Sequence, residues 1–561
     1  MRTQAITMTK RFAKWQWPNL FSIFLIILLL TNYFAPFADL DFTWQIRTGE
    51  QIVKTGNFRP VESFTYTLAG QAVPEFEGLY EAILWAVWSV FGFGGLKLLK
   101  TLAVFVPLLL LGLRLQREGV RWRGIALALL TAICVLSPGW NLRPLYCTTI
   151  GLLVVSGWLH DHCHGRRPLS WWLPPVMCLW ANLHPGVITG QGLLLGAIGW
   201  EWLNCRLKIN VPLDRRACWR LTLIGGVGLA ATFVSPAPIQ RLHYPFRPEV
   251  SHSIQRIFIE MQPAYVFLFR APFLIWIAYI LAGCALLTVV LRFRQYRLWE
   301  VALLLGVAGL ANLAVRSLQD WVYITLALVV PHLAALLGAL AEQRKDWRAT
   351  SPFAFMMASR VLRLDSSVKR MFHSPFMRLQ GSWLAAAFAV MALVSLTPAW
   401  SRRMPMRDSS EWPVAALDWI ESQGLHGRFF GPPDYGSYVC WRLREQARSY
   451  VDTRGFFFPA ELIEDSQYLP QMSVDWQPRM DRVLSYGTDY FLLETWGARG
   501  RLWQALQPHA GKPLYQDERT VLLSAEQVRQ AVTLRTAAAG QKQSSPATPR
   551  ANLVEHAGTA R

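Results

Sequence analysis

The sequence predicts a mostly α-helical, polytopic membrane bundle of about eleven spans, followed by a small C-terminal α/β domain outside the membrane. Three observations predict it. Of 561 residues, 53% are hydrophobic, 13% aromatic and only 16% charged, which is too apolar for a soluble chain of this length. Apolar runs of span length recur along the first 400 residues, with basic clusters in the short loops between them. Beyond about residue 400 the apolar runs shorten, and strand-like and helical patterns alternate. The net charge of +20 does not indicate nucleic acid. The 56 Lys and Arg gather in short runs between apolar segments rather than in a stripe with exposed aromatics, so they report topology.

Residues 1–17 form a basic N-terminus. Lys10, Arg11 and Lys14 precede the first apolar run and no small-x-small cleavage site follows it, which reads as an uncleaved signal anchor. Spans are expected near 18–36, 94–114, 123–138, 144–160, 171–184, 187–204, 219–236, 271–291, 297–315, 319–341 and 383–399. With the N-terminus in the cytoplasm, RLQREGVRWR (114–123), HGRRP (164–168), RLKINVPLDRRACWR (206–220), RFRQYR (292–297) and the basic loop 342–382 all lie inside, and the C-terminal domain lies outside. This describes a multi-pass protein of the cytoplasmic (inner) membrane. The segment 77–92, EGLYEAILWAVWSVFG, is expected to lie along the outer face or dip into it, because a further crossing would invert every later loop.

The domains are therefore a transmembrane module at 18–341 with its first outer loop at 37–93, a last span, an outer domain at 400–530, and a tail at 531–561 whose Ala, Gln, Ser, Thr and Pro predict disorder. In the outer domain, Trp412, Ala415, Ala416, Trp419 and Ile420 recur at helical spacing over 411–423. GPPDYGSY (431–438) reads as a turn, ARSYVD (447–452), YFLLE (490–494) and TVLLS (520–524) as strands, and the stretches near 460–485 and 500–507 as helical. Of eight cysteines only Cys440 is in this region, so it has no internal disulfide partner there, and no paired C-x-x-C zinc spacing exists.

The stretch 36–66 follows the first span and carries Asp39 and Asp41 one residue apart. Two carboxylates at the edge of the hydrocarbon need a cation, a metal ion or a reaction to serve. The same topology puts Arg143 (SPGWNLRP), Asn182 and His184 (WANLHPG), Glu260 (IFIEMQP), and Arg316, Gln319 and Asp320 on the outer face. Each has a structural reading as well. Asp39 caps a helix with Asp41 as a second acid near the positive end of the dipole. Asn182, His184 and Pro185 turn a helical hairpin, Arg143 snorkels at the interface, Arg316 neutralises Asp320, and Glu260 pairs with Arg256. HDHCH (160–164) has the residue types of a metal cluster, but neighbouring residues on a helix point in different directions. The many tryptophans read as interface anchors.

These motifs resemble the GT-C superfamily of polytopic glycosyltransferases, in which an acidic motif follows the first span. The lipid A aminoarabinose transferases and protein O-mannosyltransferases are similar in DLDFTWQIRTGEQIVKTGNF (39–58) and GLYEAILWAVWSVFG (78–92). A bacterial membrane-protein family is closer still, matching Asp39 to Gly49, Leu142 to Pro144, Asn182 to Gly186, Ile259 to Met261, Arg316 with Ser317, and Asp452 with Arg454. Three positions depart from that pattern: Gln45 stands for His, Pro185 for Gly and Met261 for Trp. The loss of the His beside the acids weakens any role for it in binding metal or relaying a proton.

The resemblance implies transfer of a sugar from a polyprenyl-phosphate-linked donor to an envelope glycan, lipid or protein acceptor, with membrane lipids as the other partner and no nucleic acid. Asp39 is the preferred base, with Asp41 as a second carboxylate or a metal ligand. Arg143, His184 and Arg316 face the phosphate, with Asn182 and Glu260 beside them, and Arg suits that task through its planar fork of donors. The resemblance fixes no cofactor, and a hard divalent ion, Mg²⁺ or Mn²⁺, is compatible with the acids. Asp452 and Arg454 follow a strand in the outer domain, where they pair locally or touch substrate. No phosphate loop or nucleotide motif appears. Two other classes fit the composition: a non-catalytic envelope-assembly scaffold and a polar-lipid transporter. Against the transporter, the acids lie at the outer mouth and inverted halves are not evident.

Overall fold

The computed structural model describes residues 20–37, 41–209, 211–243, 257–269, 272–351, 356–359, 381–397, 412–455 and 457–544, so Asp39 lies outside the described residues. The chain divides into a helical unit and a second unit formed by 63–69, 408–454 and 461–561.

In the helical unit the elements are α1 (Leu20–Phe34), α2 (Asp41–Thr55), α3 (Gly78–Arg117), α4 (Trp122–Leu136), α5 (Leu145–Cys163), α6 (Leu173–Leu183), α7 (Val187–Leu207), α8 (Arg215–Ala231), α9 (Pro238–His243), α10 (Pro272–Arg292), α11 (Leu298–Leu313), α12 (Leu318–Thr350) and α13 (Gly381–Ser395). Among the described residues, Gly78–Arg117, Phe273–Gln295 and Val315–Gln343 are long and apolar enough to cross a membrane, and shorter apolar helices accompany them. The chain is thus a membrane protein.

The expected outer-face helix and the span after it are continuous in α3, with a break at Gly92 (φ 57°, ψ −149°) that an L side chain rarely adopts. Two buried lysines three residues apart on α3, Lys97 and Lys100, donate to the carbonyls of Phe34 (3.3 Å) and Ala35 (3.4 Å) at the end of α1. Those carbonyls have no partner within α1, so the ammonium groups complete the helix end immediately before the acidic stretch. The hydroxyl of Tyr33 then ties α1 to α13 through Ser395 (2.7 Å).

α2 is amphipathic, burying Phe42, Trp44, Ile46, Gly49 and Ile52. Its backbone approaches α3 closely at Gly49, where an added Cβ would stand 2.0 Å from the Glu81 carbonyl oxygen. Gly49→Val is expected to destabilise the protein by about 2–3 kcal/mol. A thermal melt of the detergent-solubilised variant that coincides with wild type would rule this packing out.

The second unit holds α14 (Val414–Ser422), β1 (Gly427–Phe430), α15 (Pro433–Leu443), β2 (Ala447–Ser449), α16 (Ala460–Tyr468), α17 (Trp476–Ser485), β3 (Tyr490–Glu494), α18 (Arg501–Leu506), β4 (Tyr515–Gln516), β5 (Thr520–Ser524) and α19 (Ala525–Ser544). Its sheet runs β2-β1-β3-β5-β4, with β1 parallel to β2 and β3, and β5 antiparallel to β3 and β4. Residues 63–69 add an edge to it: Ser449 N–H donates to the Phe64 carbonyl (3.0 Å) and Tyr66 N–H to the Ser449 carbonyl (3.1 Å).

Two features differ from expectation. GPPDYGSY opens α15 instead of forming a turn, because proline is well placed in a helix's first turn, where its missing N–H costs nothing. The segment expected to be disordered from 531 begins inside α19, whose Val528 and Ala531 are buried.

Candidate active site

The helical unit gathers charged side chains where α2, α3, α5 and α12 begin and α6 ends. Asp41 opens α2, and its carboxylate lies 3.4 Å from Arg143, which stands just before α5. The same guanidinium is hydrogen-bonded to Glu260, on the short 3₁₀ turn Ile259–Met261. That turn is held in place by the Val315 N–H, which donates to the Gln262 carbonyl (2.8 Å). Arg143 therefore sits between two carboxylates, and the Glu260 partner expected at Arg256 lies outside the described residues.

A second cluster centres on Glu77, at the start of α3. Gln45 donates to one of its oxygens (3.3 Å), and His184 Nε2 lies 3.7 Å from the other. The Nδ1 of His184 accepts the Gly186 N–H (3.1 Å) and lies 2.6 Å from the Thr148 hydroxyl. A backbone N–H only donates, so Nδ1 is the acceptor and the neutral ring carries its proton on Nε2, toward Glu77. Trp180 holds Thr148 by its indole N–H (3.2 Å). Burial, with the positive Arg316 adding to it, holds His184 down at about 3. Burial pushes Glu77 up to about 8; Glu75 and Asp41 add to this, while Arg316 and the Gln45 amide oppose it.

Arg316, in the 3₁₀ turn Val315–Ser317 before α12, is exposed and acts on both Glu77 and His184 through its charge. It makes no hydrogen bond or ion pair with the described residues. The sequence reading that Arg316 neutralises Asp320 is replaced by another arrangement: Asp320 accepts from Thr149 (2.5 Å), whose hydroxyl in turn accepts from Gln319 (2.8 Å).

Asn182 is directed elsewhere. Its amide donates to the carbonyls of Val234 (2.7 Å) and Cys178 (2.9 Å), which ties the end of α6 to the segment after α8. In the second unit Asp452 and Arg454 form a buried, bidentate pair, with Nε–Oδ1 at 2.9 Å and Nη2–Oδ2 at 2.5 Å, and the guanidinium lies over the Phe64 ring. Such a pair shapes its loop.

A divalent ion does not fit the described residues beside Asp41. The guanidinium of Arg143 stands against Asp41 and Glu260, and no three ligand atoms gather there among the described residues. Sequence reasoning missed Glu77, which lay inside EFEGLYEA with no spacing to mark it, although burial of an acid beside a span is itself a functional signal.

The fold is that of the GT-C glycosyltransferases. Among solved structures it is similar to the archaeal oligosaccharyltransferase AglB from Archaeoglobus fulgidus in complex with an inhibitory peptide and a dolichol-phosphate, at 11% identity and a TM-score of 0.53, over 87% of this chain and 72% of that one. It is similar also to ArnT from Cupriavidus metallidurans bound to undecaprenyl phosphate, at 12% identity and a TM-score of 0.50, over 90% of this chain and 97% of that one. No protein-family model matches the chain, and no curated protein matches it by sequence.

Proposed function

We propose that this chain is a membrane glycosyltransferase that moves a sugar from a polyprenyl-phosphate-linked donor to an envelope acceptor at the outer face of the inner membrane. The carrying observation is Arg316, an exposed guanidinium without a partner among the described residues, next to a cluster in which Arg143 is already taken up by Asp41 and Glu260. A cation left open on a fold shared with two proteins whose structures hold a polyprenyl-type phosphate is suited to that phosphate.

In the reaction, Asp39 takes the proton of the acceptor nucleophile as it bonds to the sugar's anomeric carbon. The bond from that carbon to the phosphate oxygen breaks, and its electron pair leaves with the polyprenyl phosphate. Arg316 stabilises the charge that gathers on the departing phosphate. Arg143 holds Asp41 in place rather than meeting the phosphate first, since two carboxylates already occupy it. His184, neutral across the physiological range, contributes an N–H and no charge.

The test uses the full chain in proteoliposomes, with radiolabelled polyprenyl-phosphate sugars and nucleotide sugars compared as donors. Label is expected to leave the lipid donor only, and Arg316→Ala is expected to raise the KM for that donor about 10-fold or more. Folded protein that transfers from nucleotide sugars alone would overturn the reading.

A further inference from the structure

The far end of α5 carries a second constellation. His160 lies twelve residues beyond Thr148, about 18 Å along the helix from the candidate active site. His160 and His164 are four apart and share a face, so the HDHCH run resolves into two parts. His162 turns away into packing, lying 3.0 Å from the Ala217 carbonyl and accepting the Leu169 N–H (3.2 Å).

The two remaining imidazoles converge on Glu300, a fully buried carboxylate in the first turn of α11. His160 Nδ1 is 2.5 Å and His164 Nε2 is 3.3 Å from the same oxygen, Oε1. The other oxygen, Oε2, is taken by the Arg297 backbone N–H (2.8 Å), which leaves Oε1 turned to the histidines. Behind His160, Nε2 lies 3.1 Å from Glu118, which Arg166 holds at 2.7 Å.

One ligand atom from each of His160, His164 and Glu300 lies within 4.8 Å of the others. Ligands about 2.0–2.1 Å from a tetrahedral zinc ion are about 3.3 Å from one another, so an ion fits if the His160–Glu300 contact opens by less than about 1 Å. Two imidazole nitrogens and one carboxylate oxygen suit a borderline divalent transition metal. Glu118 stands where metal-binding histidines ordinarily find a carboxylate for their second nitrogen. The nearby cations are engaged elsewhere: Arg297 with Glu201 (3.1 Å), Arg166 with Glu118, and Arg114 with the Ser156 hydroxyl (3.3 Å).

We propose that His160, His164 and Glu300 bind a divalent transition-metal ion, with Zn²⁺ the best fit, and that it ties α5 to α11. The site is separate from the transferase reading and does not depend on it. The competing arrangement is a protonated His160 bridging Glu118 and Glu300 with no ion.

Full-length protein, purified without chelator and dialysed against metal-free buffer, is expected to retain about one zinc per chain by elemental analysis. After the zinc is stripped with chelator and the chelator removed, titrated Co²⁺ is expected to give visible ligand-field bands that saturate at one equivalent. His164→Ala and Glu300→Gln should each weaken binding at least 10-fold, while His162→Ala should not. If those variants fail to fold, the wild-type Co²⁺ spectrum decides. Its absence, or metal binding equal in His164→Ala and wild type, overturns the site.

Discussion

Asp39→Asn is expected to lower transfer from the lipid-linked donor by about 10²–10⁴-fold, the range lost when a positioned general base is removed. Asn is nearly isosteric with Asp but cannot take the acceptor's proton, so the loss should fall on kcat, with KM for the donor little changed. Asp41→Asn is expected to act differently. Its carboxylate lies 3.4 Å from Arg143, which also holds Glu260. Neutralising Asp41 leaves Arg143 with a single acid and loosens the start of α2. The loss should be smaller, about 10–100-fold, and partly recovered when Glu260→Gln is added, because the remaining pair then no longer pulls Arg143 out of position. Radiolabel transfer in proteoliposomes, with protein quantity and thermal melts matched, separates these outcomes. Wild-type rates in both single variants would remove the acid pair from the chemistry.

The bundle was legible because burial in lipid imposes length and composition on each helix. The expected runs at 123–138, 144–160 and 187–204 correspond to α4, α5 and α7 within a few residues. YFLLE and TVLLS are β3 and β5 to the residue, because a central strand buried on both faces reads as an unbroken apolar run. The edge formed by 63–69 was not legible, since nothing local marks a loop segment that completes a sheet some 380 residues later.

The candidate site was legible in its residue types and not in its pairings. Arg143, Glu260 and Asp41 were each singled out, but the contact joining them spans 117 residues between Arg143 and Glu260. Lys97 and Lys100 carried a readable signal, two lysines a helical turn apart in an apolar run, whose partners at the end of α1 only the fold reveals. HDHCH failed as a sequence motif for the reason given by helix geometry. Its useful half is the pair four residues apart, and the third ligand comes from α11.

Glu77→Gln is expected to stabilise the protein above neutral pH and leave it unchanged near pH 4.5. Burial, with Glu75 and Asp41 nearby, raises the folded-state carboxyl to about 8 from an ordinary 4.5, against the pull of Arg316 and Gln45. Between those values the folded state holds a proton that the unfolded chain has released, so this group makes stability fall as pH rises through the window. His184 works in the opposite sense. Its folded-state value near 3 lies below the ordinary 6.5, so the unfolded chain binds the extra proton and stability rises with pH up to about 6.5. The two trends oppose each other from 4.5 to 6.5, and only Glu77 acts from 6.5 to 8. The wild-type melting temperature should therefore decline across that upper interval, while Glu77→Gln, which keeps the shape and accepts from Gln45 through its one amide oxygen without a titrating proton, stays level. At pH 8 the variant should melt a few °C higher. Melts of both proteins in detergent, taken every half unit from pH 4.5 to 8.5, check this. Parallel curves would mean that Glu77 is ionised in the folded state at neutral pH, with Arg316 as the nearby positive charge that favours it.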